Sequence, residues 1–354
     1  MTDKTEKSIT SLPNINPDIL ARSGRKKRRR YSVSEYVDGI VSGNRTILSQ
    51  AITLAESSLP GDYECAQEVI EKCLPHSAKS VRIGITGVPG VGKSTFIEAF
   101  GLHLVSLGKK TAVLTIDPSS NISKGSILGD KTRMEKLSVH PSAFIRPSPN
   151  SGRPGGVARM TRESIIMCEA AGFDTIIVET VGVGQSETAI HSMVDVFMLL
   201  LLARAGDELQ GIKRGIMELA DIIAITKADG DNIQAAENAR ITFTGALSLF
   251  PPHESGWKPR VLTCSAKQNK GIAELWDTIQ EYLIFVKQSG YFEEFRKRQA
   301  VIRMHDTISE CLNNSFYNNE EVKNLIPLME NLLYEGKITS YKAALTLLEK
   351  YFKR

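Results

Sequence analysis

The sequence has few of the features that secreted or membrane-spanning proteins depend on. Its 354 residues include five cysteines, which are irregularly spaced and form no C-x-x-C motif, so a reduced compartment is expected rather than a disulfide scaffold. The longest apolar run, 194–203, contains Asp195 and is too short to cross a bilayer, and it is typical of a buried central strand of a parallel sheet. The N-terminus has no apolar signal region. We therefore expect a cytoplasmic protein without a membrane span.

Acidic residues are absent from one short basic segment. Residues 22–30 carry seven positive side chains, and without them the net charge of +4 becomes −3. Such a run is typical of a solvated tail, and contact with an anionic partner surface is the alternative. We predict that residues 1–30 form a disordered basic tail. The rest of the chain has no basic field that would indicate nucleic-acid binding.

Hydrophobic periodicity predicts the organisation of the middle of the chain. Residues 31–78 carry two helical patterns, at 33–57 and 62–74, and are predicted to be an N-terminal helical extension. Residues 79–290 alternate strands with helices, which is the pattern of a doubly wound, mostly parallel α/β sheet. One large domain with helical appendages is therefore expected.

The C-terminal segment, 291–354, has no strand signal. Helical patterns occur at 291–312, 320–334 and 340–352. Apolar residues recur along the first of them and need a surface to cover them: Phe292, Phe295, Ile302, Ile308 and Leu312. Packing on the chain's own α/β domain is one interpretation. A C-terminal dimerisation arm is the interpretation that we favour.

The motif G-x-x-x-x-G-K-[ST] occupies residues 87–95, between an apolar strand pattern at 81–86 and a helical pattern from Ser94 to Ser106. Strand, glycine loop and helix form the P-loop, whose backbone N–H groups and helix N-terminus cradle phosphates. Lys93 would reach the β- and γ-phosphates and the Ser94 hydroxyl would bind Mg²⁺. The predicted phosphate-binding residues are Gly87, Val88, Pro89, Gly90, Val91, Gly92, Lys93, Ser94 and Thr95.

Two later motifs predict that the base of the bound nucleotide is guanine. Residues 226–229 read T-K-x-D directly after an apolar strand pattern, and Asp229 can accept hydrogen bonds from guanine N1–H and N2–H₂, which adenine lacks. The stem of Lys227 would lie across the base. Another strand pattern, 261–264, precedes Ser265, Ala266 and Lys267, an S-A-K turn whose backbone N–H groups would face guanine O6. The cofactors expected are GTP or GDP with Mg²⁺.

A strand pattern at 175–179 ends in Glu179, shortly before Gly182. An acid in this position is typical of the Walker B motif, so Glu179 would hold Mg²⁺ directly or through water and the Gly182 N–H would contact the γ-phosphate. Asp117 and Asp130 border glycine- and serine-rich loops and could reach the metal's outer shell. Helix or turn capping is the alternative for both aspartates. We favour the metal role for Asp117, and for Asp130 the two interpretations are more nearly balanced.

A residue that could orient the attacking water is missing from its usual place. Val183 follows Gly182 directly where a Ras-like site has glutamine, and Gln185 comes three residues after that glycine. We therefore expect slow intrinsic GTP hydrolysis, with another segment or a partner completing the site.

Six stretches together resemble the MeaB/ArgK family of P-loop GTPases, the bacterial relatives of the human methylmalonic aciduria type A protein. The resemblance runs from about residue 35 to 276. The stretches that carry it are 84–96, 117–120, 126–134, 146–149, 179–187 and 205–213.

The resemblance implies a GTP-hydrolysing G-protein chaperone. Family members assist cobalamin loading and protect adenosylcobalamin-dependent methylmalonyl-CoA mutase or a related acyl-CoA mutase, and they are homodimers held by a C-terminal helical arm. By the same resemblance, residues 206–213 form a switch loop whose Lys213 enters the nucleotide site when the mutase is bound. The alternative is that Lys213 and Arg214 lie on an exposed helix face.

The sequence departs from the family pattern in three places. Thr226 stands where the family usually has asparagine, Arg204 replaces a proline, and Arg153 with Pro154 replaces a small residue and leucine. Base selectivity should survive the first change with some loss of hydrogen bonding in the pocket.

The main rival function is a kinase acting on periplasmic lysine/arginine/ornithine-binding proteins, as relatives were once described. No motif nominates the acceptor-positioning base that a kinase needs. A metal-insertion GTPase would carry a His-rich tract or a cysteine pair, whereas the six histidines here are scattered.

Overall fold

The computed structural model describes residues 30–57, 59–117, 134–149, 156–180, 186–203 and 214–352. The predicted basic tail lies outside these ranges except for Arg30. Within them, no helix combines the length and the apolar character that crossing a bilayer requires.

The described part of the chain contains one sheet of seven parallel strands, in the order β3-β2-β4-β1-β5-β6-β7. The predicted doubly wound α/β fold is confirmed. The apolar run at 194–203 contains β5, which lies beside the middle strand. The strands are β1 Val81–Gly87, β2 Thr111–Asp117, β3 Ala143–Pro149, β4 Thr175–Thr180, β5 Val196–Leu202, β6 Ile222–Thr226 and β7 Arg260–Thr263.

Helices cover both faces of the sheet. Because side chains alternate along a strand, Ile176 and Val178 of β4 pack into one apolar layer while Ile177 packs into the other. The helices are α1 Val33–Val41, α2 Arg45–Ala55, α3 Pro60–Cys73, α4 Lys93–Ser106, α5 Glu135–Val139, α6 Gly156–Ala170, α7 Ser186–His191, α8 Arg214–Leu219, α9 Ile233–Leu247, α10 Ile272–Gln288, α11 Tyr291–Asn318, α12 Glu320–Tyr334 and α13 Ser340–Phe352.

The predicted single helix at 33–57 is wrong, because the structure divides it into α1 and α2. Gly43 adopts φ 77°, a left-handed conformation that ends a helix. Asn44 then begins the next helix by accepting hydrogen bonds from the N–H groups of Thr46 and Ile47 at 3.0 and 3.2 Å. Helices α1 to α3 share their apolar core with α6 and with the β2 and β4 face of the sheet.

Strand β3 was not predicted from the sequence. It lies at the edge of the sheet and, among the strands that the structure describes, pairs with β2 alone, with Pro147 opposite Thr115 and Pro149 opposite Asp117. Proline lacks a backbone N–H group and is tolerated on an edge strand. Residues 146–149 therefore look like a loop motif in sequence while their backbone extends the sheet.

The predicted arm helices are present, although α11 runs six residues beyond the predicted end. Its first turns pack on the α/β domain: the Phe295 ring lies 5.5 Å from that of His191, and Arg296 donates to Asp195 at 2.7 Å through two nitrogens. Farther along, Ile308 and Leu312 are 48 and 58% exposed. The apolar stripe is thus covered by the chain's own domain at its beginning and is uncovered later.

Candidate nucleotide-binding site

The loop between β1 and α4 is shaped by glycine. A Cβ atom on Gly87 would lie 2.5 Å from the carbonyl oxygen of Leu200, which is far too close. Gly90 and Gly92 adopt φ 80° and 93°, conformations that side chains disfavour, and Gly92 begins α4. Within the described residues, no side chain caps this helix. Its first N–H groups are therefore free to face an anion.

Lys93 is the first residue of α4 and is 9% exposed. Its Nζ donates to the carbonyl oxygens of Gly87 at 2.7 Å and Val88 at 3.3 Å, so the ammonium group lies over the loop. Burial lowers the pKa of Lys93, and the nearby negative charge of Glu179 opposes that shift. A buried cation held by two carbonyls is well placed to meet phosphate oxygens.

Glu179 and Ser94 meet beside the loop. Strand β4 pairs with β1, which places Glu179 opposite Ile85 near the carboxyl end of both strands. The Ser94 hydroxyl donates to Glu179 Oε1 at 3.4 Å, and Glu179 is only 8% exposed. A hydroxyl and a buried carboxylate are the oxygen ligands that Mg²⁺ prefers.

Ser94 and Glu179 fit a magnesium site whose remaining ligands are phosphate oxygens and water. No group of three or more His, Cys, Asp or Glu side chains forms a metal cluster in the described ranges. Mg²⁺ in nucleotide sites takes one or two protein ligands and completes its shell with phosphate oxygens and water. The pair of Ser94 and Glu179 meets that requirement.

Asp117 ends β2 on the same edge of the sheet. Glu179 of β4 pairs with Thr115 of β2, and Thr180 pairs with Ile116. The backbone of Asp117 therefore lies two residues beyond the position that pairs with Glu179. The side chain of Asp117 and all of Asp130 lie outside what the structure describes.

Thr226 ties the end of β6 to the P-loop. Its hydroxyl lies 2.8 Å from the Val91 carbonyl oxygen and 3.2 Å from that of Leu201, and the residue is 4% exposed. Lys227 adopts φ 56° and its Nζ donates to the Gly90 carbonyl at 2.8 Å. Two consecutive side chains of the T-K-x-D motif therefore anchor the phosphate loop.

Asp229 lies against the S-A-K turn. The Ser265 hydroxyl donates to Asp229 Oδ2, and the Ala228 N–H donates to the Cys264 carbonyl at 3.0 Å. Ser265 is buried, Ala266 is half-buried and Lys267 is exposed. The two predicted guanine motifs are 36 residues apart in sequence and meet directly in the structure.

The structure thus brings together the phosphate loop, Lys93, Ser94, Glu179 and the two guanine motifs. In the sequence Thr226 stands out only as a departure from the family pattern, and its contact with Val91 was not predicted. A hydroxyl residue at the carboxyl end of a strand, just before the clamp lysine, was the available signal. Four predicted residues lie outside the described ranges: Asp130, Gly182, Gln185 and Lys213.

Residues 48–321 match the family model described as methylmalonyl Co-A mutase-associated GTPase MeaB. The chain belongs to the MeaB family. It is accordingly a P-loop GTPase that binds guanine nucleotide, as the motifs predicted.

Relatives from bacteria and animals agree with this MeaB-family membership. The chain is 48% identical to a probable GTPase of Mycobacterium tuberculosis over 88% of this chain and 94% of that protein. It is 44% identical to the GTPase ArgK of Escherichia coli, covering 82 and 88% of the two chains. It is 43% identical to the mitochondrial methylmalonic aciduria type A homolog of Mus musculus, covering 93 and 81%.

A solved structure shares the fold as well. The crystal structure titled LAO/AO transport system kinase superposes with a TM-score of 0.71 at 36% identity, over 90% of this chain and 96% of that one.

Proposed function

We propose that this MeaB-family GTPase is a G-protein chaperone of an adenosylcobalamin-dependent acyl-CoA mutase of the methylmalonyl-CoA mutase type. It would couple GTP hydrolysis to the loading of cobalamin and to protection of the mutase. The observation that carries the proposal is the match of residues 48–321 to a family described as associated with methylmalonyl-CoA mutase. The mouse relative, which bears the name of methylmalonic aciduria, supports it.

Phosphate binding is assigned to the P-loop. In the proposed complex Lys93 leaves the carbonyl of Gly87 for the β- and γ-phosphates, which offer stronger, charged acceptors. Ser94 and Glu179 would hold Mg²⁺, with Asp117 and Asp130 in its outer shell, and the ion would neutralise phosphate charge there. The 3.4 Å contact between Ser94 and Glu179 supports this assignment.

Guanine recognition is assigned to Lys227, Asp229 and the turn at 265–267. The Asp229 carboxylate would accept from guanine N1–H and N2–H₂, while the contact from Ser265 fixes its orientation. The 2.8 Å bond from Lys227 to Gly90 supports a stem that spans from the base site to the phosphate loop.

Rapid hydrolysis is proposed to need the partner. Gly182 would contact the γ-phosphate, Gln185 would help to position water, and Lys213 would enter when the mutase is bound. A mobile cation arriving at the γ-phosphate stabilises charge in the transition state as an arginine finger does.

Each segment of the chain is assigned a role in the proposed chaperone. Residues 291–354 would form the dimerisation arm of a cytoplasmic homodimer, residues 31–78 a helical extension and residues 79–290 the GTPase domain. Exposure of Ile308 and Leu312 on α11 supports a surface that a second copy covers.

The deciding experiment is GTP turnover by the purified protein, with and without the acyl-CoA mutase of the same organism, with ATP as the control nucleotide. We expect slow basal hydrolysis of GTP, strong stimulation by the mutase and little use of ATP. Lys213→Ala should keep the basal rate and lose the stimulation. Equal loss of both rates would contradict the role of Lys213.

The kinase alternative rests on the solved relative titled LAO/AO transport system kinase. Absence of stimulation, together with transfer of phosphate from nucleotide to a periplasmic amino-acid-binding protein, would favour it. The contacts around Asp229 weigh against a general ATP-dependent kinase, because adenine cannot satisfy that carboxylate.

A further inference from the structure

A second cavity lies far from the nucleotide site. Its volume is about 210 Å³, and it is lined by residues 74–78, the start of β1, α6, the turn after α7 and α11. Arg82 on β1 precedes Gly87 by five residues, so the cavity is about 16 Å from the P-loop along the strand. Its polar lining contains four arginines, Arg82, Arg162, Arg296 and Arg303, together with Ser77, Ser192 and Gln299.

Two of the four arginines, Arg82 and Arg296, each form an ion pair with a buried carboxylate outside the cavity. Arg82 donates to both oxygens of Glu169 at 2.8 and 3.0 Å, and Arg296 donates to both oxygens of Asp195 at 2.7 Å. Both carboxylates are fully buried and neither lines the cavity. These bidentate ion pairs fix the two guanidinium groups in the wall of the cavity.

Arg162 is only partly satisfied. It is 7% exposed, donates to Ser192 Oγ at 2.7 Å and to Asp306 at 2.8 Å, and retains a buried Nε for which the described residues offer no acceptor. Asp306 is 56% exposed and does not line the cavity. It lines a neighbouring groove, which shares Arg162, Ser192 and Arg303 with the cavity and also contains Glu310. The charge of Arg162 is therefore balanced only by a carboxylate that is largely exposed to solvent.

The guanidinium group of Arg303 has no hydrogen-bond or ion-pair partner among the described residues, whereas its backbone carbonyl accepts a hydrogen bond from the Thr307 hydroxyl at 2.8 Å. Burial lowers its pKa, and the positive charges of Arg162 and Arg82 lower it further. Glu163 attracts Arg303, but it accepts a hydrogen bond from Gln67 at 2.8 Å and does not line the cavity. An unpaired guanidinium in a half-buried position is costly unless an anion joins it.

We propose that this cavity is a binding site for a small oxyanion of the phosphate class, either inorganic phosphate or the phosphate group of a small phosphomonoester. A guanidinium group matches the geometry of phosphate oxygens, and the unpaired guanidinium of Arg303 supplies charged donors, while the other three arginines add positive charge to the wall. Leu74 on the rim is 45% exposed, so the cavity opens to solvent. A bound anion would join α11 to α6 and to Ser192, just after α7.

The test is equilibrium dialysis with radiolabelled phosphate at fixed ionic strength. The full-length protein is first saturated with a non-hydrolysable GTP analogue and Mg²⁺, so that the P-loop cannot take the label. We expect saturable binding of one phosphate per chain. Arg303→Gln should weaken it about tenfold or more, because one charge-assisted donor is lost.

Arg298→Gln is the matched control. It removes the same charge from the same helix, but Arg298 pairs with Glu254 at 3.1 Å and lines neither this cavity nor the neighbouring groove. Phosphate affinity should be unchanged in this variant. If Arg303→Gln does not fold, Arg303→Lys keeps the charge without the fork and should bind phosphate more weakly than the parent protein.

Competition distinguishes the two sources of the phosphate group. Displacement of label by glycerol 3-phosphate at lower concentration than by phosphate would assign the site to a phosphomonoester, and the reverse order to inorganic phosphate. Absence of saturable binding at millimolar phosphate would overturn the proposal. Equal weakening by Arg298→Gln and Arg303→Gln would also overturn it, since that result indicates nonspecific attraction.

Discussion

Thr226→Val tests whether the phosphate loop is anchored by the strand that leads to the guanine clamp. Valine has nearly the shape of threonine, so the change removes a hydroxyl and leaves the packing in place. The hydroxyl of Thr226 lies 2.8 Å from the Val91 carbonyl in a position that is 4% exposed. The substitution therefore deprives a buried loop carbonyl of this donor.

Loss of one buried hydrogen bond of this kind costs about 1–2 kcal/mol. If the cost falls on the loop conformation that binds phosphate, it corresponds to about five- to thirtyfold in Kd. GDP and GTP should lose affinity alike, because the loop holds the phosphates that both nucleotides share. Thr226→Asn, which restores an amide donor at this position, should retain most of the affinity.

Titration calorimetry with GDP, together with thermal unfolding of the nucleotide-free protein, measures both effects. Thr278→Val is the matched control: Thr278 is also 4% exposed, and its hydroxyl donates to the Glu274 carbonyl at 2.8 Å within α10, away from the loop. The control should leave the Kd unchanged. An unchanged Kd in Thr226→Val would refute the anchoring role, even if the melting temperature fell.

Three further substitutions test the site and the core. Lys93→Ala should abolish measurable GTP binding in a fluorescence titration, and unchanged affinity would contradict the P-loop assignment. Asp229→Asn should reduce the preference for guanine nucleotides and allow xanthine nucleotides to bind. Asp231 is an exposed neighbour, and Asp231→Asn should leave the preference unchanged. Equal preference in both variants would exclude Asp229 as the residue that recognises the base. Burial raises the pKa of Asp221 to about 7 in the folded chain, so its contribution to stability is fully present below pH of about 4 and is lost as pH rises to about 7. Asp221→Asn should flatten this fall in chemical denaturation curves, and an unaltered pH profile would mean that other groups cause it.

Local motifs made much of the nucleotide site predictable. The strand before Gly87, the loop and α4 follow from glycine placement and short-range hydrophobic patterns, which do not depend on the rest of the chain. The same holds for the strands before Glu179, Lys227 and Ser265. Their convergence also follows in outline, because the carboxyl ends of parallel strands share one edge of a sheet.

Two elements were missed, one because it depends on a distant partner and one because a local break is masked by continuous apolar periodicity. Strand β3 ends in Pro-Ser-Pro, and only pairing with β2 makes that segment a strand. The break at Gly43 was hidden because the apolar pattern continues through it, while φ 77° and the cap from Asn44 decide the geometry. Glycine followed by asparagine was the local signal for the break, whereas pairing of β3 with β2 has no such signal in the sequence.

By itself, the sequence determined the fold class, the family and the chemistry of the phosphate and guanine motifs, since each depends on residues that are close along the chain. Tertiary structure decided which of those groups touch: Thr226 with Val91, and Ser265 with Asp229. It also decided that arginines from β1, α6 and α11 line one cavity. The reason is that contacts between distant segments are set by sheet order and helix packing, which hydrophobic periodicity does not specify.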